Sequence, residues 1–132
     1  MYIYRVEDPI TGRGPYNPDK NATDEMHLLD YDISDAHTDS AHPVMFDDCG
    51  FGNAFRYCDD ARKYYAGCIT VEQLYSWFIG FWNRLRDCGY IVRVYDVCDS
   101  LVHTGGYQCC FVMSGANIAD EMSIDDFVSI VG

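Results

Sequence analysis

Residues 70–97 read TVEQLYSWFIGFWNRLRDCGYIVRVYDV, and the two ends of this stretch carry different periods. Val71, Leu74, Phe78, Phe81, Trp82 and Leu85 recur at helical spacing. Thr70 stands at the cap position, Gln73 three residues on completes a capping box, and Glu72 suits the positive end of the helix dipole. Cys88-Gly89 is the stop signal, and Arg84 and Arg86 near it complement the negative end. One continuous helix is therefore expected from Thr70 to that stop. The aromatic pairs Trp77-Phe78 and Phe81-Trp82 fit its buried face better than a ligand platform. Tyr90 to Val97 then predicts a strand, with Arg93 between Val92 and Val94 pointing to one exposed face.

Working outward, YQCCFVM (107–113) reads as another strand, and Gly105-Gly106 before it suggest a tight return that pairs the two strands antiparallel. In SIDDFVSIVG (123–132), Ser123 caps a short closing helix with Asp125 and Asp126 in its first turn. Upstream, YYAGCI (64–69) and YIYRV (2–6) are strands, the latter closed by Asp8-Pro9. Between them lie the turn-rich loop TGRGPYNPDKNATDE (11–25) and an acidic run from Leu28 to Asp48. The expected fold class is α+β, a small, mainly antiparallel sheet covered by one long amphipathic helix. Residues 1–132 form a single domain, 1–65 irregular, loop-rich and acidic and 66–132 regular.

Apolar residues make up 48% of the chain, enough for a packed core, yet 21 Asp and Glu stand against 9 Lys and Arg, a net charge of −12. Such a surface repels free nucleic acid and draws in basic partners. The start MYIYRVEDP lacks the pattern of a signal peptide, and no apolar run is long enough for a membrane span, which points to a soluble intracellular protein with no membrane partner. Seven cysteines without a CxxC pair read as reduced, packed thiols.

The acidic run holds Asp30, Asp32, Asp35, Asp39, Asp47 and Asp48 among His27, His37 and His42. Counted from Asp30, a calcium loop lacks its central Gly and its Glu at the twelfth position. A transition-metal set of His37, Asp39 and His42 is chemically conceivable, but a solvated acidic loop is the favoured reading and no metal is expected. No Gly-x-Ser-x-Gly, phosphate loop or HExxH occurs, so no catalytic residue and no cofactor is assigned.

IYRVEDPITGRGPY (3–16), His42-Pro43 followed by Phe46-Asp47-Asp48, VEQLYSWF (71–78), GYIVRVYDV (89–97) and GYQCCF (106–111) resemble, in the same order, a group of small phage and prophage proteins. That resemblance implies a mobile-element origin in bacteria and action in the cytoplasm of the host cell. Small acidic proteins of such origin include anti-CRISPR and other anti-defence inhibitors. The implied function is inhibition of a nucleic-acid-binding defence protein by occupying its basic surface. Asp30, Asp32, Asp35, Asp39, Asp47, Asp48, Asp59 and Asp60 are the carboxylates expected to take the place of phosphates, with Tyr16 and Phe46 as aromatic anchors.

Two other readings compete. Tyr4-Arg5 in the first strand resembles the place from which small ADP-ribosyltransferase domains hold NAD, and the later strand with Gln108 (107–113) is similar to their catalytic strand. YQCCFVM lacks the catalytic Glu which that family expects. The remaining reading is a phage structural or assembly component that uses its aromatic surface to bind copies of itself or a neighbouring component.

Overall fold

The computed structural model describes residues 1–132. The strands are β1 (Tyr2–Glu7), β2 (Tyr64–Gly67), β3 (Ile91–Val97), β4 (Val102–Thr104), β5 (Cys109–Val112) and β6 (Ala116–Ser123). The helices are α1 (Asp24–Ala36), α2 (Met45–Asp48), α3 (Val71–Trp77), α4 (Trp82–Asp87) and α5 (Ile124–Val131). The class is α+β, with two small antiparallel sheets ordered β1-β3-β6 and β2-β5-β4. They meet where Tyr4 and Cys68 exchange backbone hydrogen bonds of 2.8 and 2.9 Å, so β1 and β2 run side by side at a seam.

Side-chain alternation explains the layering. Val6 and Val92 face a core made with Met26, Leu29, Leu74 and Phe127 of the helices. Ile3, Tyr95 and Val97, on the opposite face, pack against Cys109 and Phe111 of the second sheet. β1 and β3 thus pack on both faces of the first sheet, which corrects the expected exposed face of the 90–97 strand. Arg93 is compatible with this because Glu7 and Glu121 accept its hydrogen bonds at 2.6 and 2.9 Å.

Three further expectations are corrected. Residues 1–65 are not wholly irregular, because α1 takes in the first part of the acidic run, as far as Ala36. Thr23 Oγ1 accepts from the Met26 N–H at 3.2 Å, and Met26, Leu29 and Ile33 form its narrow buried stripe. The 70–89 stretch is not one helix. Gly80 takes φ +87°, a conformation that side chains disfavour, and the chain turns between α3 and α4. No single long helix therefore covers the sheet. Finally, β3 and β5 do not pair, since β3 lies between β1 and β6 while β5 lies between β2 and β4. The caps at Thr70 and Ser123 form as read, accepting from the N–H groups of Gln73 and Asp126 at 3.1 Å each. No helix is long and apolar enough to cross a membrane.

Candidate functional site

A cleft of about 390 Å³ opens along the seam, with Arg5 of β1 and Gln108, the residue before β5, both in its wall. Arg5 is fixed on three sides. Its Nε donates to Glu7 at 2.9 Å, one Nη to the Ala66 carbonyl at 2.8 Å and the other to the Gly12 carbonyl at 3.3 Å. Guanidinium carries five N–H groups, so two of them stay free. The turn-rich loop lies across Arg5, where a Cβ on Gly14 would come within 3.3 Å of the guanidinium.

Another part of the wall is aromatic. His37 and His42 stack with ring centroids 3.6 Å apart and planes 7° from parallel, and Trp77 stands edge-on to both. His42 Nδ1 lies 2.7 Å from an Asp39 carboxylate oxygen and its Nε2 lies 2.9 Å from the Trp77 carbonyl. Tyr16 OH receives the Trp77 indole N–H at 2.8 Å and bonds to His37 Nδ1. Burial, opposed in part by the indole bond, holds the Tyr16 phenol above its ordinary range.

Burial first, and the neighbouring His42 second, lower the His37 pKa from 6.5 to about 4, against a smaller opposing effect of Asp39. The unfolded chain therefore binds this proton more tightly than the fold does. Stability from neutral His37 is whole above pH 6.5 and is lost as pH falls towards 4. Discounted for partial exposure, the loss amounts to about 1–2 kcal/mol. Thermal melts between pH 7.5 and 4.5 check this. His37→Phe should lose part of the wild-type pH slope, and an unchanged slope would refute the assignment.

The residues singled out for partner binding scatter over the fold. Asp30 accepts from Ser34 at 3.2 Å, and Asp32 pairs with Arg84 at 2.8 Å. Asp35 and Asp47 are exposed, and Asp59 and Asp60 lie exposed on a separate 3₁₀ turn. Asp48 accepts three backbone N–H groups of residues 106–108. Phe46 is 6% exposed and packs edge-on against Phe55, so its ring belongs to the interior. Of the set, only Tyr16 lines the cleft. Arg5 and Gln108, which the ADP-ribosyltransferase resemblance brought forward, do meet there.

The stacked histidines and Trp77 were missed as ligand-facing groups. Their spacing read as acidic loop and helix core, and nothing local encodes a stack between a turn and a helix. The same stacking keeps the in-plane lone pairs of the two rings from converging on one metal ion; Asp39 is hydrogen-bonded to His42, and His37 to Tyr16. All seven cysteines are unpaired, with Cys49, Cys68, Cys109 and Cys110 buried. Burial pushes the Cys68 thiol up to about 12, as suits a packing residue.

The family described as Bacteriophage T4 Y00F protein matches residues 1–125. No curated protein and no solved structure matches the chain.

Proposed function

This chain belongs to the bacteriophage T4 Y00F family, and we propose that it is a phage-related protein whose seam cleft binds a nucleotide, NAD being the first candidate. The observation that carries the reading is the meeting of Arg5 and Gln108, distant in sequence, in one cleft with an aromatic wall. The volume suits a small ligand. The free N–H groups of Arg5 match a phosphate, and the histidine and tryptophan rings offer stacking surfaces to a base. No carboxylate lines the cleft. Binding without cleavage of the glycosidic bond is therefore the expected behaviour, in keeping with the missing catalytic Glu of the strand after Gln108.

Thermal-shift titration and calorimetry with NAD, AMP and inorganic phosphate test this. A saturable rise in Tm with NAD or AMP is expected, following the mass-action linkage of binding to stability. Arg5→Lys keeps the charge and loses the fork, and should weaken nucleotide binding about tenfold. No shift with any nucleotide would overturn the proposal.

A second reading keeps the acidic inhibitor of a basic, nucleic-acid-binding host defence protein. Its support is the outer face of α1, where Leu28 and Tyr31, 57% and 70% exposed, stand among Asp24, Asp32 and Asp35. A host-protein pull-down at two salt concentrations, beside a variant with Asp30, Asp32, Asp35 and Asp39 replaced by Asn, separates the two. Retention at low salt that is lost in the variant favours the inhibitor, and no retention removes it.

A further inference from the structure

Gln108 is 6% exposed and sits in the cleft wall. Its side-chain Nε2 donates to the Pro43 carbonyl at 2.7 Å, its backbone N–H donates to Asp48 at 3.0 Å, and its carbonyl accepts from the Gly105 N–H at 2.7 Å. The remaining strong acceptor, Oε1, receives no hydrogen bond from the protein. The amide has one orientation, because a carbonyl at Pro43 accepts and can only be met by the nitrogen. Pro43 follows His42, whose ring is held between Asp39 and the Trp77 carbonyl, so the amide is anchored beside the aromatic wall.

Oε1 is not among the fully buried atoms and reaches the open cleft, so a ligand that covers it must supply a donor in place of water or lose affinity. Resting on the nucleotide reading above, we propose that Gln108 Oε1 selects the ligand by accepting from an N–H group on its aromatic ring system. The favoured class is a nucleotide with an exocyclic amine or a carboxamide, such as the adenine or the nicotinamide end of NAD. A ring that presents a carbonyl oxygen at this point sets acceptor against acceptor. Sites built around a buried polar group reject ligands that lack its partner far more strongly than apolar pockets reject a missing methylene.

Calorimetric titration with two matched pairs tests the assignment. The first is AMP against IMP, where the amine becomes a carbonyl. The second is nicotinamide mononucleotide against its 3-acetylpyridine counterpart, where the carboxamide loses its donors. In at least one pair the donor-bearing member should bind ten times more tightly or better, and that pair identifies the end of the ligand at Gln108. Gln108→Leu should weaken that member alone and bring the pair within about twofold.

Equal binding within both pairs, or a preference unchanged in Gln108→Leu, overturns this inference while the nucleotide reading stands. Absence of binding by all four compounds, with NAD also silent, overturns both. The wild-type comparison decides the matter even if the variant does not fold.

Discussion

Glu7→Ala is expected to cost the fold about 3–5 kcal/mol, with a fall in Tm of roughly 10 °C or more. Glu7 is fully buried, and its two oxygens receive Arg5 Nε at 2.9 Å, Arg93 Nη1 at 2.6 Å and Tyr95 OH at 2.6 Å. Arg5 and Arg93 face one another in register across β1 and β3, a like-charge pair that opposes strand pairing by itself. The carboxylate turns that repulsion into a bridge. Without it two nearly buried guanidinium groups lose their shared counter-ion, although Arg93 keeps Glu121 at 2.9 Å. Glu7→Gln preserves shape but sets an amide N–H₂ among three donors, so it should fall between wild type and Glu7→Ala. Equilibrium denaturation measures both, and a cost below about 1 kcal/mol for Glu7→Ala would refute the bridge. The same contact steadies Arg5 in the cleft, so the nucleotide affinity of Glu7→Gln should fall with its stability.

What the sequence made legible was what its signals carry locally. Alternation in Tyr2–Val6 and Tyr90–Val97 marked two strands, and the cap residues Thr70 and Ser123 marked two helix starts. Thr23 is a cap of the same kind, but only Met26, Leu29 and Ile33 of the α1 stripe are apolar and buried, and the surrounding acids hid it. Leu74, Phe78, Trp82 and Leu85 keep helical spacing through the turn at Gly80, so periodicity gave no sign of the break. β6 is an edge strand with Asp120 and Glu121 and almost wholly exposed, a composition that guards against edge pairing and removes the hydrophobic signal of a strand. Strand partners are a tertiary property, and neither Gly105-Gly106 nor the closeness of β3 and β5 in sequence fixes them. The cleft was legible only through resemblance at Arg5 and Gln108. Its aromatic half depends on a stack that spacing does not encode.

Asp48→Ala should prove nearly as damaging as the loss of Glu7, at about 2–4 kcal/mol, and should also abolish ligand binding. Its carboxylate accepts from the N–H groups of Gly106, Tyr107 and Gln108 at 2.9, 3.1 and 3.0 Å, closing the turn that leads into β5. Gly105 makes the approach possible, since a Cβ there would lie 2.6 Å from the Asp48 carbonyl oxygen and collide with the carboxylate. Removing the carboxylate frees the backbone of Gln108, and with it the amide that faces the cleft. Asp48→Asn retains one accepting oxygen and should be milder. Asp47, its exposed neighbour, makes no side-chain hydrogen bond, so Asp47→Ala should stay within about 0.5 kcal/mol. This contrast also bears on function. If the acidic run acts as a phosphate mimic, the two adjacent carboxylates should contribute comparably to partner capture once stability is corrected for. If the cleft is the site, Asp47→Ala should bind nucleotide as wild type does and Asp48→Ala should not, even at a temperature where both remain folded.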